Sequence, residues 1–478
     1  LRLLIITPSE QQPGFEYSLS GRENLGVEYL LAAVRRAGHQ ADSLNQNLPG
    51  EPRLEEIDLL AYEAIGFSLP FWEHRREYVR LINAVFARVE APLIAGGHSA
   101  TLGPEYFLHH CPGLLGIVMG EGEETLPDLL HNLSNPQQTP GFYSRGGFAR
   151  RSLGDIDALA PPARDELWRG LKANPSFKEA YIASTRGCHN ACSFCSIPTY
   201  YRLAHGPVWR ERSVAGVCRE IDALLDAFPD LDGLSFTDDN FLGFRQQRRD
   251  RALQIARHIQ ARRPDLVFEI TCRADSVDYE TFAQLADLGL SGVYLGIEAG
   301  VQRLLDEFRK RTTVAENLRS ISILSRLDIG CDVGFIMFCP SITLEEVRLN
   351  LEFLQFILKN YPIFVHPAAV FRSLRRYPTD LGRAAILGDD HDAATYREEP
   401  VNLLRRALES IWMEKFEAKF LGLEKIMAQD PSTQTSYADE SRSIAMGMID
   451  VALSILAAGT RGDLPSVIQE LYPNIGAG

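Results

Sequence analysis

The sequence predicts an α/β chain in three parts: a Rossmann-like doubly wound domain, a partial (β/α)6 barrel and a helical C-terminal domain. Three observations predict it. Short apolar runs alternate with amphipathic stretches through the first 135 residues, and six more apolar runs recur at barrel spacing from about residue 180. After "RYPTDLGRAA" the strand signal fades and apolar residues step by three and four. A length of 478 residues suits about three domains, because single cores stop growing economically beyond roughly 250 to 300 residues.

In residues 1–135 the strand candidates are "LLIIT" at 3 to 7, "AIGFSL" at 64 to 69, "PLIAGG" at 92 to 97 and "LLGIVMG" at 114 to 120. Between them "LGVEYLLAAVRRAG" sets Leu25, Leu30, Val34 and Ala37 at helical spacing and ends at Gly38, which suits a C-terminal cap. Strands separated by helices call for a parallel sheet. Residues 136–178, with "NPQQTPGFYSRGG" and "ALAPPARDELW", carry turn residues and little periodicity, so a linker is expected there. Residues 179–382 supply "YIAST", "GLSFT", "VFEIT", "GVYLGI", "CDVGFI" and "FVHPAAV", each separated by enough chain for a helix. Residues 383–478 read as helical: Leu404, Leu408 and Ile411, then Phe416, Phe420, Leu423 and Met427, form a stripe.

Composition narrows the function. A formal net charge of -14 argues against a protein that neutralises a phosphate backbone, so nucleic acid is excluded and a small-molecule or peptide substrate is expected. Eight cysteines in a chain this long are too sparse for a disulfide scaffold, which points to a reducing cytoplasm. No signal peptide or membrane span is expected: "LRLLIITP" is too short, and "IAMGMIDVALSILAAG" is interrupted by Asp450 and shorter than a bilayer crossing.

The stretch "TRGCHNACSFCSIP" gathers Cys188, Cys192 and Cys195. Three thiols cannot pair evenly among themselves. Thiolates favour soft metals and iron-sulfur clusters, and three of them on one loop leave one iron of a four-iron cluster open. A structural zinc site wants four closed ligands, and His189 is adjacent to Cys188, a poor placement for chelating the same ion. C-x3-C-x2-C just after the first strand of a partial barrel resembles the radical S-adenosylmethionine (SAM) superfamily. The resemblance implies a [4Fe-4S] cluster on Cys188, Cys192 and Cys195, with SAM on the open iron. It also implies that Phe194 lies against the adenine and that Asp238 or Asp239 of "FTDDNF" meets the methionine amino group. Arg273 of "ITCRAD" would hold the methionine carboxylate and Glu298 of "LGIEAG" the ribose hydroxyls. Each of these also has a plain structural reading, as a packing aromatic, a turn cap or a strand-end charge.

"GFIMFCPSITLEE" resembles the family's fifth-strand segment, with Ser341 where a glycine-containing turn is common. Cys339 there is either a small buried apolar residue or a thiol donating a hydrogen atom to a radical. Cys111, Cys218, Cys272 and Cys331 read as packing residues. Arg372, Arg375 and Arg376 of "FRSLRRYP" read as a solvated basic face or a contact for an acidic substrate group.

A Rossmann-like module ahead of such a barrel resembles the cobalamin-binding subgroup. "IGFSLPF", "IAGGHSATLGPE" and "MGEGEETL" resemble its loops, with Ser68, Gly96, Gly97, Gly120 and Glu121 as cofactor contacts. The comparable region "ADSLNQNLPG" lacks the histidine that many cobalamin proteins place under cobalt, and His39 precedes its strand. Cobalamin bound without a protein histidine, or a module that has lost cobalamin, both stay open. The resemblance implies a cobalamin-dependent C-methyltransferase that forms a 5'-deoxyadenosyl radical and draws electrons from a flavodoxin or ferredoxin. The alternatives are a radical epimerase, dehydratase or cyclase using Cys339, and a non-enzymatic cobalamin or iron-sulfur sensor.

Overall fold

The structure is a computed structural model that describes residues 1–9, 22–203, 207–242, 246–374, 396–429 and 433–459. Arg375, Arg376 and the expected boundary at 382/383 lie outside the described residues. The chain divides into two compact units. The first holds the N-terminal strand, the chain to His189 and Cys195–Leu231; the second holds Asn190–Phe194 and the chain from Asp232.

In the first unit β1 (Arg2–Thr7), β2 (Gln40–Asn45), β3 (Ala64–Ser68), β4 (Leu93–Gly96) and β5 (Leu114–Val118) pair in parallel in the order β2-β1-β3-β4-β5. Leu3 to Thr7 are all buried, as expected of a central parallel strand covered on both faces. The strand order reverses between β1 and β3, the place where doubly wound folds open a crevice at the carboxyl ends of their strands. Helix Leu25–Arg36 begins where the Asn24 side chain accepts from the Val27 amide, and Leu25, Val27, Leu31 and Val34 form its buried face. Shorter strands β8 (Glu179–Ile182), β9 (Thr185–Gly187) and β10 (Trp209–Glu211) also belong to this unit, β9 and β10 as an antiparallel pair.

The stretch 136–178 is more ordered than a linker. β6 (Phe142–Ser144) pairs antiparallel with β5, and β7 (Gly147–Phe148) pairs with β6, extending the sheet to seven strands. Gly116 makes room: a Cβ there would sit 2.3 Å from the Phe142 ring. Farther along, helix Asp165–Ala173 is tied to helix Leu25–Arg36 by reciprocal caps. Glu28 accepts from the Glu166 and Asp165 amides at 2.7 and 2.9 Å, while Glu166 accepts from the Asn24 amide at 2.7 Å and the Asn45 side chain at 2.8 Å. Each carboxylate therefore satisfies amides at the other helix's start, where N–H groups lack intrahelical partners. These partners lie 137 and 142 residues apart, beyond what local turn composition reports.

In the second unit β11 (Gly233–Phe236), β12 (Val267–Arg273), β13 (Leu290–Glu298) and β14 (Gly330–Phe335) are parallel neighbours in chain order, with helices such as Gln246–Arg262, Tyr279–Asp287 and Val314–Arg326 between them. Thus the expected strand-helix repeat is present. The sixth run differs: "FVHPAAV" gives one isolated parallel bridge, at Phe364, a second follows beyond it at Ser373, and Pro367 opens a short 3-10 turn, Pro367–Val370. Proline has no N–H for a ladder, so the strand stops.

The C-terminal region is helical, and the step from Ile411 to Phe416 has a cause. Glu399–Ile411 and Glu417–Gln429 are joined by a π-helical stretch, Trp412–Phe416. The wider turn inserts one residue, so Leu404, Leu408 and Ile411 before it and Phe420 after it are all buried. The last described helix, Gln434–Gly459, corrects the expected length of the apolar run: Ser436–Gly459 is long and apolar enough, by length and composition, to cross a membrane. Ile444, Ala445, Met448, Ile449, Ala452 and Ile455 of this helix are nevertheless buried, and Arg442 donates to the Leu358 and Ile363 carbonyls.

Candidate active site

Within the second unit the carboxyl edge of the sheet collects the charges. Arg273 ends β12 opposite Gly296, and Glu298 ends β13 opposite Phe335. A register shift falls between Gly296 and Glu298, and Glu298 takes a left-handed φ of 65° that few non-glycine residues adopt. Asp238 is buried and Asp239 half-buried after β11, where the Phe241 amide donates to the Thr271 carbonyl at 3.0 Å. Beside them Asn240 is 0% exposed, and among the described residues neither its side-chain oxygen nor its nitrogen has a hydrogen-bond partner. A buried amide without partners is costly, and a polar ligand at this edge would relieve it.

Segment Asn190–Phe194 packs with this edge through a clamp that sequence reading missed. The Ser193 amide donates to the Phe308 carbonyl at 2.9 Å and the Ser193 hydroxyl to the Glu307 carbonyl at 2.8 Å. Phe194 meets Phe308 edge-on, with ring centroids 5.4 Å apart. Arg273 is held flat by Asp275, at 2.9 and 3.0 Å, and by the Lys310 carbonyl, and turns Nη1 toward Cys192 Sγ at 3.8 Å. Lys310, 4% exposed, sets Nζ 2.8 Å from Glu298 and 6.0 Å from the Phe194 ring centre. Asp275 was legible as the second residue after an arginine; Lys310 and Asn240 carried no comparable signal.

The donor set fits an iron-sulfur cluster. All three loop cysteines stand outside any disulfide and are half-buried, and the Arg273 guanidinium lies 3.8 Å from Cys192 Sγ. Among the described residues no three His, Cys, Asp or Glu side chains already stand together as a metal cage. Cys339 is buried at the end of the fifth-strand segment, its Sγ 3.6 Å from the Ser341 hydroxyl, which donates to Glu307 at 2.6 and 2.7 Å. Burial pushes the Cys339 thiol pKa up, so it stays protonated. Of the other cysteines, Cys111, Cys272 and Cys331 are buried and Cys218 is half-buried.

The Radical SAM superfamily profile matches residues 182–354, and the B12 binding domain profile matches residues 22–130. The chain is a radical SAM protein with a B12-binding domain. This radical SAM chain is 25% identical over 363 residues to an uncharacterised methyltransferase of Pyrococcus horikoshii, covering 73% of this chain and 77% of that one. It is 28% identical over 326 residues to the hopanoid C-3 methylase of Methylococcus capsulatus, covering 66% of this chain and 61% of the relative. Among solved structures, the cobalamin-dependent radical enzyme OxsB with aqua-cobalamin and SAM bound aligns over 100% of this chain and 84% of its own, with a TM-score of 0.70 at 16% identity. The methyltransferase TsrM of Kitasatospora setae aligns over 80% of this chain and 76% of its own, with a TM-score of 0.61 at 17% identity.

In the first unit the radical SAM protein sets its B12-type loops at the carboxyl ends of β3, β4 and β5. Ser68 accepts from Asn24 Nδ2 at 3.4 Å, and Asn24 also donates to Thr7 at 3.2 Å, bridging the β1/β3 crevice. Gly97, at φ 89°, is needed for packing: a Cβ there would lie 2.9 Å from the Leu69 nitrogen. For Gly96 the nearest atom to such a Cβ is the Val118 carbonyl at 3.5 Å, an ordinary contact. A Cβ on Gly120, at φ 70°, would meet nothing within 4 Å among the described residues, which makes it the open glycine of the three. Glu121 is committed to an ion pair with Arg210 and lies 3.4 Å from Arg186. His98 Nε2 lies 2.7 Å from Ser196 Oγ, with its ring stacked on Tyr200. His39 directly precedes β2 at the amino edge, 4.4 Å ring to ring from His131, on the far side from these loops. The fold and the open Gly120 face fit cobalamin held without His39.

Proposed function

We propose that this radical SAM protein is a cobalamin-dependent methyltransferase acting on an unactivated carbon of a small-molecule or peptide substrate. The observation that carries the reading is the pairing, in one chain, of a B12-binding fold with a sheet edge that brings Cys192, Phe194, Arg273 and Glu298 together. When bound, the cluster and SAM supply a 5'-deoxyadenosyl radical and cobalamin supplies a transferable methyl group. The relatives support methyl transfer by their names: a hopanoid methylase, and TsrM solved with tryptophan and an SAM analogue.

In this reading Cys188, Cys192 and Cys195 hold the cluster. Asp275 and the Lys310 carbonyl fix the Arg273 guanidinium, leaving Nη1 to face Cys192 and the methionine carboxylate. Asp238, Asp239 and the unpaired Asn240 amide receive the methionine amino end, and Glu298 accepts the ribose hydroxyls. Around the corrin, Ser68, Gly96, Gly97 and Gly120 line the loops, while Glu121 acts through Arg210 and Arg186. A flavodoxin or ferredoxin supplies electrons, and the reaction runs in the cytoplasm.

The test is anaerobic reconstitution with iron, sulfide and hydroxocobalamin, followed by metal analysis and incubation with SAM carrying a deuterated methyl group. About one cobalt per chain, 5'-deoxyadenosine release under reduction, and label recovered on the corrin are expected. Iron with SAM cleavage but no cobalt overturns methyl transfer in favour of a radical rearrangement.

A further inference from the structure

Lys310 is a buried cation that no cluster or cofactor contact inferred from the sequence required. Its surroundings are built. Its side chain is 5% exposed and its partner Glu298 13% exposed, with 2.8 Å between Nζ and Oε1. The residues on either side, Arg309 and Arg311, take left-handed φ values of 51° and 58°, and Glu298 itself has 65°. Three non-glycine residues in that region mark a local cost that the surrounding contacts sustain. Gly296 is cleared for the pair: a Cβ there would lie 2.7 Å from Lys310 Nζ and 2.8 Å from Glu298 Oε1. Through its carbonyl Lys310 also receives Arg273, and its ammonium stands over Phe194. One residue thus touches all three side chains that the SAM reading assigns to carboxylate, ribose and adenine.

We propose that Lys310 is a positioning residue that sets the nucleoside end of the pocket by donating a charge-assisted hydrogen bond to Glu298 and so aiming its carboxylate, and that ribose hydroxyls then meet a fixed acceptor. This rests on the SAM reading above. A carboxylate accepts two hydroxyls without donating, provided that its oxygens are turned toward them. The ammonium 2.8 Å away fixes one oxygen, leaving the other for the ligand. Without the ammonium, the Glu298 carboxylate is no longer held in place and the site loses its preference for a ribose bearing hydroxyls.

The experiment compares S-adenosylhomocysteine with its 2',3'-dideoxyribose analogue, by calorimetric binding to cluster-loaded wild type and to Lys310→Met. Wild type is expected to prefer the hydroxylated ligand by roughly tenfold or more, the scale of a charged hydrogen bond. Lys310→Met should bind both ligands within about twofold of each other, with the visible cluster spectrum and iron content unchanged. Equal discrimination in wild type and variant overturns the proposal. Failure of wild type to bind either ligand overturns the underlying SAM reading instead. Should Lys310→Met not fold, Lys310→Gln, which keeps a donor and removes the charge, is read by the same two outcomes.

Discussion

At the scale of single residues, the carboxyl edge of the second unit depends on groups that serve one another before any ligand arrives. Arg273 satisfies Asp275 and a buried carbonyl at once. Arg273→Met should therefore cost about 3 kcal/mol in the urea unfolding of the second unit, because it strands a carboxylate and a carbonyl that are sheltered from water. Cys339 gives the opposite expectation. Its thiol is buried, protonated and in contact with Ser341, whose hydroxyl is turned to Glu307. Cys339→Ala should keep SAM cleavage within about twofold, scored as 5'-deoxyadenosine per chain, and lose about 1 kcal/mol of stability for the volume removed. A loss of all turnover would restore the hydrogen-donor alternative.

Between elements, the joint of helices Leu25–Arg36 and Asp165–Ala173 makes a pH-dependent contribution. Burial, reinforced by the neighbouring Glu166 carboxylate, pushes Glu28 up to about 8, and burial pushes Glu166 up to about 7. The folded chain therefore keeps protons here that the unfolded chain releases near its ordinary carboxylate value of 4.5. The contribution is full below that value and is lost as pH rises through 7 to 8. Glu28→Gln should flatten the fall in Tm between about pH 5 and pH 8, read by differential scanning fluorimetry across that series. The sequence hid this joint for a physical reason. Hydropathy and turn residues report what neighbours along the chain do, so they revealed β1, β3, β4, β5 and β11 to β14, whose apolar runs are local. They passed over β6 and β7, which are short and follow a glycine turn, and the reciprocal caps, whose partners are remote. The π-helical turn left a trace, the five-residue step from Ile411 to Phe416, that local spacing shows and a uniform helix does not explain. At the site the same division holds. Cys188, Cys192, Cys195, Arg273 and Glu298 announced themselves by motif and strand end, whereas Lys310 and Asn240 become visible only through their partners or the lack of them.

For the molecule as a whole, the B12-binding fold of the first unit and the Arg273 and Glu298 edge of the second should respond to different ligands. Hydroxocobalamin at about a hundred times its Kd should stabilise the first unit by about 2.7 kcal/mol, and S-adenosylhomocysteine at the same excess should do so for the second. Scanning calorimetry of the full chain with each ligand in turn checks this; no cobalamin shift would mark the first unit as a scaffold. The clamp on Ser193 also sets a clock on biosynthesis. Its anchor at Glu307 lies 114 residues downstream, so on a ribosome adding ~5–20 residues per second the cysteine loop waits roughly 6 to 23 s for the backbone that fixes it. Cluster delivery by the cell's iron-sulfur carriers therefore belongs after translation of the barrel, and chains truncated before residue 307 should emerge as poor iron acceptors despite containing every cysteine of the motif.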